Sequence, residues 1–285
     1  MRNLRLALAE YNEVDIAQFI ENLPAEKALV TFRTLPKDMA AEVFTYLLPE
    51  TKQYIIGAIT DQELAVIVED LFVDDAVDML EELPANVVKR VLKNAKPNTR
   101  LLINQFLKYP ENSAGSIMTA EFVDLRKNMT VDQAIEHIRR TGEDRETIYT
   151  CYVLDERRIL EGVVTVRDLL LSADELSVKE IMDTYVIKAI TTDDREEVAK
   201  LFLKYDLLSI PIVDHENRLV GIVTVDDVVD VLEQETTEDF EKMAAMLPSE
   251  RPYLKTSVFT HAKKRVVWLM VLMISGMITG QILGR

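Results

Sequence analysis

The sequence is poor in the residues that covalent chemistry and metal staples use. Of 285 residues, one is cysteine, Cys151, and three are histidine, His137, His215 and His261. A single cysteine makes no internal disulfide and fits a reducing compartment. Inside the apolar run TIYTCYVLD it reads as a small core side chain. Histidines so far apart offer no zinc-ligand spacing. The eight glycines are scattered, and none forms a P-loop or a dinucleotide-binding turn. Basic residues are outnumbered, 33 Lys and Arg against 49 Asp and Glu, for a net charge of −16. That balance repels phosphates and excludes nucleic acid as a partner. It suits a cationic partner, or serves solubility alone. No Ser, His and Asp cluster, and no acid pair sits in a context that raises its pKa, so the chain does not read as an enzyme.

Apolar residues make up 48% of the chain, enough for real cores, and the length suggests about two domains. The N-terminal MRNLRLALAEYNEVD is no signal peptide: its apolar stretch is short and broken by Arg5. At the other end, VVWLMVLMISGMITGQILG is 19 residues without a charge. At about 1.5 Å per residue it nearly spans a bilayer core of about 30 Å. Trp268 stands near its start, and Lys263, Lys264 and Arg265 precede it. The expectation is a transmembrane helix over 265–285, a lipid bilayer as partner, and residues 1–264 in the cytoplasm by the positive-inside rule. One helix makes no pore, so the sequence reads as part of a larger membrane protein, truncated after this span.

Residues 1–115 read as a helical array. Leu23-Pro24, Leu35-Pro36, Leu48-Pro49 and Leu83-Pro84 punctuate it, the first three pairs 12 and 13 residues apart. Proline is tolerated in a helix's first turn and ends the helix before it, so short helices are expected. After KYPENSAG the texture changes. SIMT at 116–119 recurs as EIMD at 180–183, and GVVTVRDLLL at 162–171 recurs as GIVTVDDVVD at 221–230. Each copy runs through an Ile-Met segment, an amphipathic helix, a β-rich run, a turn, a strand and a helix opening at Thr-Val-x-Asp. The pattern gives two tandem βαββα units, over 116–178 and 179–237.

Acidic side chains gather in two places. LFVDDAVDMLEELP sets Asp74 and Asp78 four apart, with Asp70 one turn earlier. From Asp226 to Glu241 there are eight acids and no Lys or Arg. Carboxylates at i and i+3 or i+4 share a helix face and repel. Mg2+ takes oxygen ligands, keeps several waters and needs only one or two carboxylates at each site. A solvated helix face is the plain alternative.

The two repeats, each with Gly-hydrophobic-hydrophobic-Thr-x-x-Asp leading into a helix, resemble a pair of CBS domains. The order of helical array, CBS-like pair, acidic helix and apolar span with basic residues before it resembles the MgtE-type magnesium transporter/channel family over essentially all of the chain. The fold class so implied is multidomain: an all-α superhelical N-terminal domain, an α/β tandem CBS-domain pair, a connecting plug-like segment over 238–264, and the first transmembrane helix. The resemblance implies several weak regulatory Mg2+ sites between the N-terminal domain and the CBS pair. Matched motif by motif, they fall on Glu42, Asp74, Asp78, Asp194, Glu196, Asp206, Asp227, Asp230, Glu235, Glu238 and Asp239. It also implies a homodimer through the CBS domains and a multi-pass protein of a bacterial cell membrane that admits Mg2+.

Some members of the family bind ATP. Thr165, Arg167 and Asp168 resemble the ribose-binding turn of nucleotide-binding CBS pairs, with Arg167 available to a phosphate; the alternative is a helix cap. In the second unit Asp226 takes the place of that arginine, and Leu207 and Thr150 stand where a base-stacking ring would help. The competing function is an adenine-nucleotide-sensing CBS module on another kind of membrane protein.

Overall fold

The computed structural model describes residues 7–8, 10–81 and 83–243, and beyond these only Val266, Met270, 272–275, Met277, Thr279 and Gln281. Two compact units result, Met1–Val225 and Asp226–Arg285.

The first unit opens with helices of eight to ten residues: α1 Glu13–Glu21, α2 Ala25–Phe32, α3 Lys37–Thr45, α4 Pro49–Ala58, α5 Asp61–Asp70, α6 Val73–Glu81, α7 Ala85–Asn94 and α8 Pro97–Phe106. Pro24, Pro36 and Pro84 sit at N-caps, and Pro49 and Pro97 open their helices. The Leu-Pro pairs therefore set the helix starts, as their spacing predicts. α1 packs on α3, α3 on α5, α5 on α7 and α6 on α8. Next-but-one packing suits helices too short to hold a core in adjacent pairs. Ile20, Val43, Phe44, Ile55, Val68 and Leu80 fill that core.

The two repeats follow. The first has β1 Phe122–Leu125, α9 Val131–Thr141, β2 Thr147–Leu154, β3 Leu160–Thr165 and α10 Val166–Leu171. The second has α11 Val178–Ile181, β4 Ala189–Ile190, α12 Arg195–Tyr205, β5 Ser209–Val213, β6 Leu219–Thr224 and then α13 Val225–Met243, which crosses into the second unit. Each sheet has three strands in chain order, one parallel pairing followed by an antiparallel hairpin. A helical N-terminal domain followed by two βαββα repeats is thus the architecture.

β2 is apolar on both faces for a reason. Cys151 and Val153 enter the first repeat's own core, beside Val123, Val131 and Val164. The alternate residues Tyr152 and Leu154 enter a second core with Phe122, Val213, Leu219 and Ile222, which joins the two sheets. Tyr152 and Ser209 share a buried hydrogen bond of 2.7 Å across that join. The hairpin turns also meet: Leu160 N–H donates to the Asn217 carbonyl at 3.1 Å, and Leu219 N–H to that of Arg158 at 2.9 Å.

The Ile-Met segments are exchanged. Thr119, in SIMT before the first repeat, bridges Ile222 of β6 through bonds of 2.7 and 2.8 Å. Asp183, in EIMD before the second, bridges Val163 of β3 through two bonds of 2.9 Å. The link from the helical domain also docks on the second repeat: Ala114 and Gly115 donate to Asp193 and Thr191, at 2.7 and 2.9 Å.

Among the described residues no helix is long and apolar enough to cross a membrane. The span expected over 265–285 lies mostly outside the described residues, as does the connecting segment from 244 onward.

Candidate cation-binding faces

On α6, Val73, Ala76, Val77 and Leu80 turn into the helical core. That places Asp74 and Asp78 on the other side. Asp74 is partly buried, with one carboxylate oxygen out of reach of solvent, and Asp78 is exposed one turn on. Two acids of the helical array feel other acids. The carboxyl of Glu81, at the end of α6, is pushed up first by burial and then by Glu111. Glu42, on α3, is pushed up by partial enclosure and then by Glu13 of α1.

In the second repeat Asp194 is the N-cap of α12, its carboxylate accepting from Glu196 N–H at 2.8 Å. Glu196 and Glu197 both hold the Lys200 ammonium, at 2.9 and 2.7 Å. Asp206 closes α12 in the left-handed region, φ 51° and ψ 46°, a conformation Asp tolerates better than most residues. Eleven helical residues separate Asp194 from Asp206. At 1.5 Å each that is about 17 Å, so one ion cannot take both.

In the second unit, α13 carries the rest of the acids. Asp230 is exposed at its rim, and its carboxyl is pushed up by burial first, then by Glu233 and Asp226. Glu235 and Glu238 are partly buried and Asp239 is exposed. Glu238 pairs with Lys242 at 2.7 Å, just past the all-acidic stretch. Asp227 is partly buried in the helix's first turn.

Among the described residues, no three His, Cys, Asp or Glu side chains come together at metal-holding spacing. The expected acids lie on α3 and α6, at and near the two ends of α12, and, in the second unit, along α13. Lys200 and Lys242 were not expected at these faces. Their spacing of four from Glu196 and Glu238 is the signal that points to them. Glu13 and Glu111 come close to other acids only through the tertiary fold, and nothing local marks them.

The nucleotide-like turn is a working helix cap. Thr165 N–H and Oγ–H both donate to Asp168 Oδ2, and Asp168 N–H donates back to Thr165 Oγ at 3.1 Å. Asp168 and Arg167 are both exposed beside it. Cys151 is buried, and burial pushes its thiol up to about 12, which makes it inert at neutral pH.

A helical array fused to a tandem pair of βαββα repeats, trailed by an acidic helix, defines a multidomain architecture. Comparison with known proteins narrows it. The MgtE intracellular N domain matches residues 11–112, and the CBS domain matches 114–175 and 178–234. The magnesium transporter MgtE of Thermus thermophilus is 40% identical over 99% of this chain, and that of Bacillus subtilis 31% identical over 99%. A crystal structure of the cytosolic domain of the Mg2+ channel MgtE, in complex with ATP, is 40% identical. It superposes with a TM-score of 0.77 over 81% of this chain and 94% of that one. The chain belongs to the MgtE family and corresponds to its N domain plus CBS pair. It spans 63% and 62% of the length of the two transporters.

Proposed function

We propose that the chain is the cytosolic Mg2+-sensing gate of a magnesium transporter or channel. Mg2+ held by the acidic faces of the N domain, the CBS pair and the connecting helix closes the pore, and loss of Mg2+ opens it for influx. The direct or water-mediated ligands are Glu42, Asp74, Asp78, Asp194, Glu196, Asp206, Asp227, Asp230, Glu235, Glu238 and Asp239. The observation that carries the reading is a set of carboxylates that partial burial first, and neighbouring acids second, push toward the protonated form. Asp230 is held above the ordinary range by burial, Glu233 and Asp226, and Glu42 by enclosure and Glu13.

Two carboxylates about 6 Å apart repel by roughly 0.7 kcal/mol in water and about 3 kcal/mol at an effective dielectric near 20. A divalent ion reverses that sign. Mg2+ keeps most of its waters at such sites, so each is weak alone, and several used together respond over a narrow range of concentration. The protein works in a bacterial cell membrane, with this region in the cytoplasm and the span over 265–285 in the bilayer. It pairs with a second copy through the CBS repeats, where Leu170 and Leu171 stand 67% and 76% exposed and available for cover.

The test is limited proteolysis of the chain across a Mg2+ titration. Millimolar Mg2+ slows cleavage of the wild type, and Asp74→Asn with Asp78→Asn blunts the protection. An unchanged cleavage rate in the wild type overturns the gate.

ATP is a second ligand supported by a specific observation. A relative 40% identical was solved with ATP, and Thr165, Arg167 and Asp168 stand at an exposed helix start of the first repeat. Calorimetry with ATP and Mg2+ separately distinguishes the two ligands. Nucleotide uptake with no response to Mg2+ favours an adenine-nucleotide sensor on another kind of membrane protein.

A further inference from the structure

We propose that Lys200 and Lys242 are tethered competitors for the metal, which set how much Mg2+ the sensor needs before it responds. The inference rests on the Mg2+-sensing reading above and adds the groups that oppose it.

Lys200 reaches Glu196 at 2.9 Å and Glu197 at 2.7 Å, an ammonium between two carboxylates one helical turn away. Lys242 repeats the arrangement in the other unit: it holds Glu238 at 2.7 Å, and Asp239 and Glu235 act on the same ammonium. Both lysines follow their acid by four residues, the favourable order for an ion pair on a helix. Lys204 is the contrast. It lies one turn past Lys200 on the same helix, and its ammonium stands over the Tyr205 ring at 4.9 Å.

A carboxylate engaged by an ammonium is still present in the metal-free chain, but an arriving ion must displace that ammonium. Apparent affinity falls by the factor one plus the pairing constant. Exposed helix pairs are weak, so that factor is about three for each lysine. The ammonium also neutralises part of the acid repulsion while the metal is away. Each lysine thus stabilises the empty state and raises the concentration at which the metal takes over.

The experiment is calorimetric titration of the whole chain with Mg2+ alone. Lys200→Met and Lys242→Met each tighten Mg2+ binding about threefold, and Lys200→Arg, which keeps the pair, stays near wild type. Lys204→Met removes the same charge from the same helix and shifts affinity by clearly less. Equal shifts in Lys200→Met and Lys204→Met mean a general charge effect and overturn the proposal, as does no shift in either. A wild type that takes up no Mg2+ overturns the sensing reading itself, a different result from the others. Thermal melts of the four variants without metal separate tighter binding from loss of fold.

Discussion

Met118 lies directly on Gly221. A Cβ at Gly221 would stand 2.9 Å from Met118 Sδ and 2.5 Å from the Thr119 carbonyl oxygen, closer than any side chain allows. The mirror relation holds at Gly162, where a Cβ would meet the Asp183 carbonyl at 2.8 Å and Met182 Sδ at 3.1 Å. These two glycines are the landing sites of the exchanged Ile-Met segments.

Gly221→Ala and Gly162→Ala therefore each destabilise by about 1–3 kcal/mol, the usual range for forcing a methyl into a filled contact. The obstacle is backbone, which cannot rotate away as a side-chain tip can. Urea unfolding measures the loss. Gly57→Ala is the control, because a Cβ there meets nothing within 4 Å. Equal stability of Gly221→Ala and Gly57→Ala would contradict the exchanged arrangement.

Tyr152 and Ser209 carry the polar contact in the core that joins the sheets. Tyr152→Phe leaves the Ser209 hydroxyl buried without that partner, at about 1–3 kcal/mol. Adding Ser209→Ala removes the orphan, so the double variant recovers part of the loss. Chemical denaturation of the two single variants and the double variant tests the coupling. Strict additivity would mean the two groups do not interact.

Much of this fold is legible in the sequence because its signals are local. The Leu-Pro pairs place helix starts, and SIMT/EIMD with GVVTV/GIVTV mark the two repeats. The exchange of Met118 and Met182 is not legible, since the same repeat pattern serves whether each segment joins its own sheet or its neighbour's. β2 shows the same limit: the β-rich run TIYTCYVL gives a strand, but not that Tyr152 and Leu154 face the other repeat. The acids sharing one helix, such as Asp226, Asp230 and Glu233, follow from spacing alone. The approach of Glu13 to Glu42 depends on α1 packing against α3, and no local rule contains it.

Asp168 has a structural duty that a nucleotide role would add to, not replace. Asp168→Ala removes one half of the capping box with Thr165, so it costs about 1 kcal/mol with or without ligand. If ATP binds at this turn, the variant also loses the ATP-induced rise in melting temperature. A full rise in Asp168→Ala would assign this aspartate to the cap alone.

Asp230 fixes the sign of a pH effect. Burial, Glu233 and Asp226 raise its carboxyl above the ordinary aspartate range, which is about 4. The folded helix therefore prefers it protonated. The stability it contributes is full in acid and is lost as pH rises through the raised value. At neutral pH without metal, Asp230→Asn is more stable than wild type. The advantage shrinks toward pH 5, still above the chain's pI of about 4.7. Other carboxyls move the opposite way: Glu63 and Asp214 are held low by hydrogen bonds and ion pairs and favour neutral pH. Only the difference between variant and wild type isolates Asp230. Circular-dichroism melts across pH 5–7.5 read that difference. If Asp230 takes part in the proposed Mg2+ sensing, millimolar Mg2+ cancels the advantage of Asp230→Asn, because the ion relieves in the wild type the repulsion that the amide removes. A variant no more stable than wild type at pH 7.5 without metal would show that the acidic face is not under repulsion there.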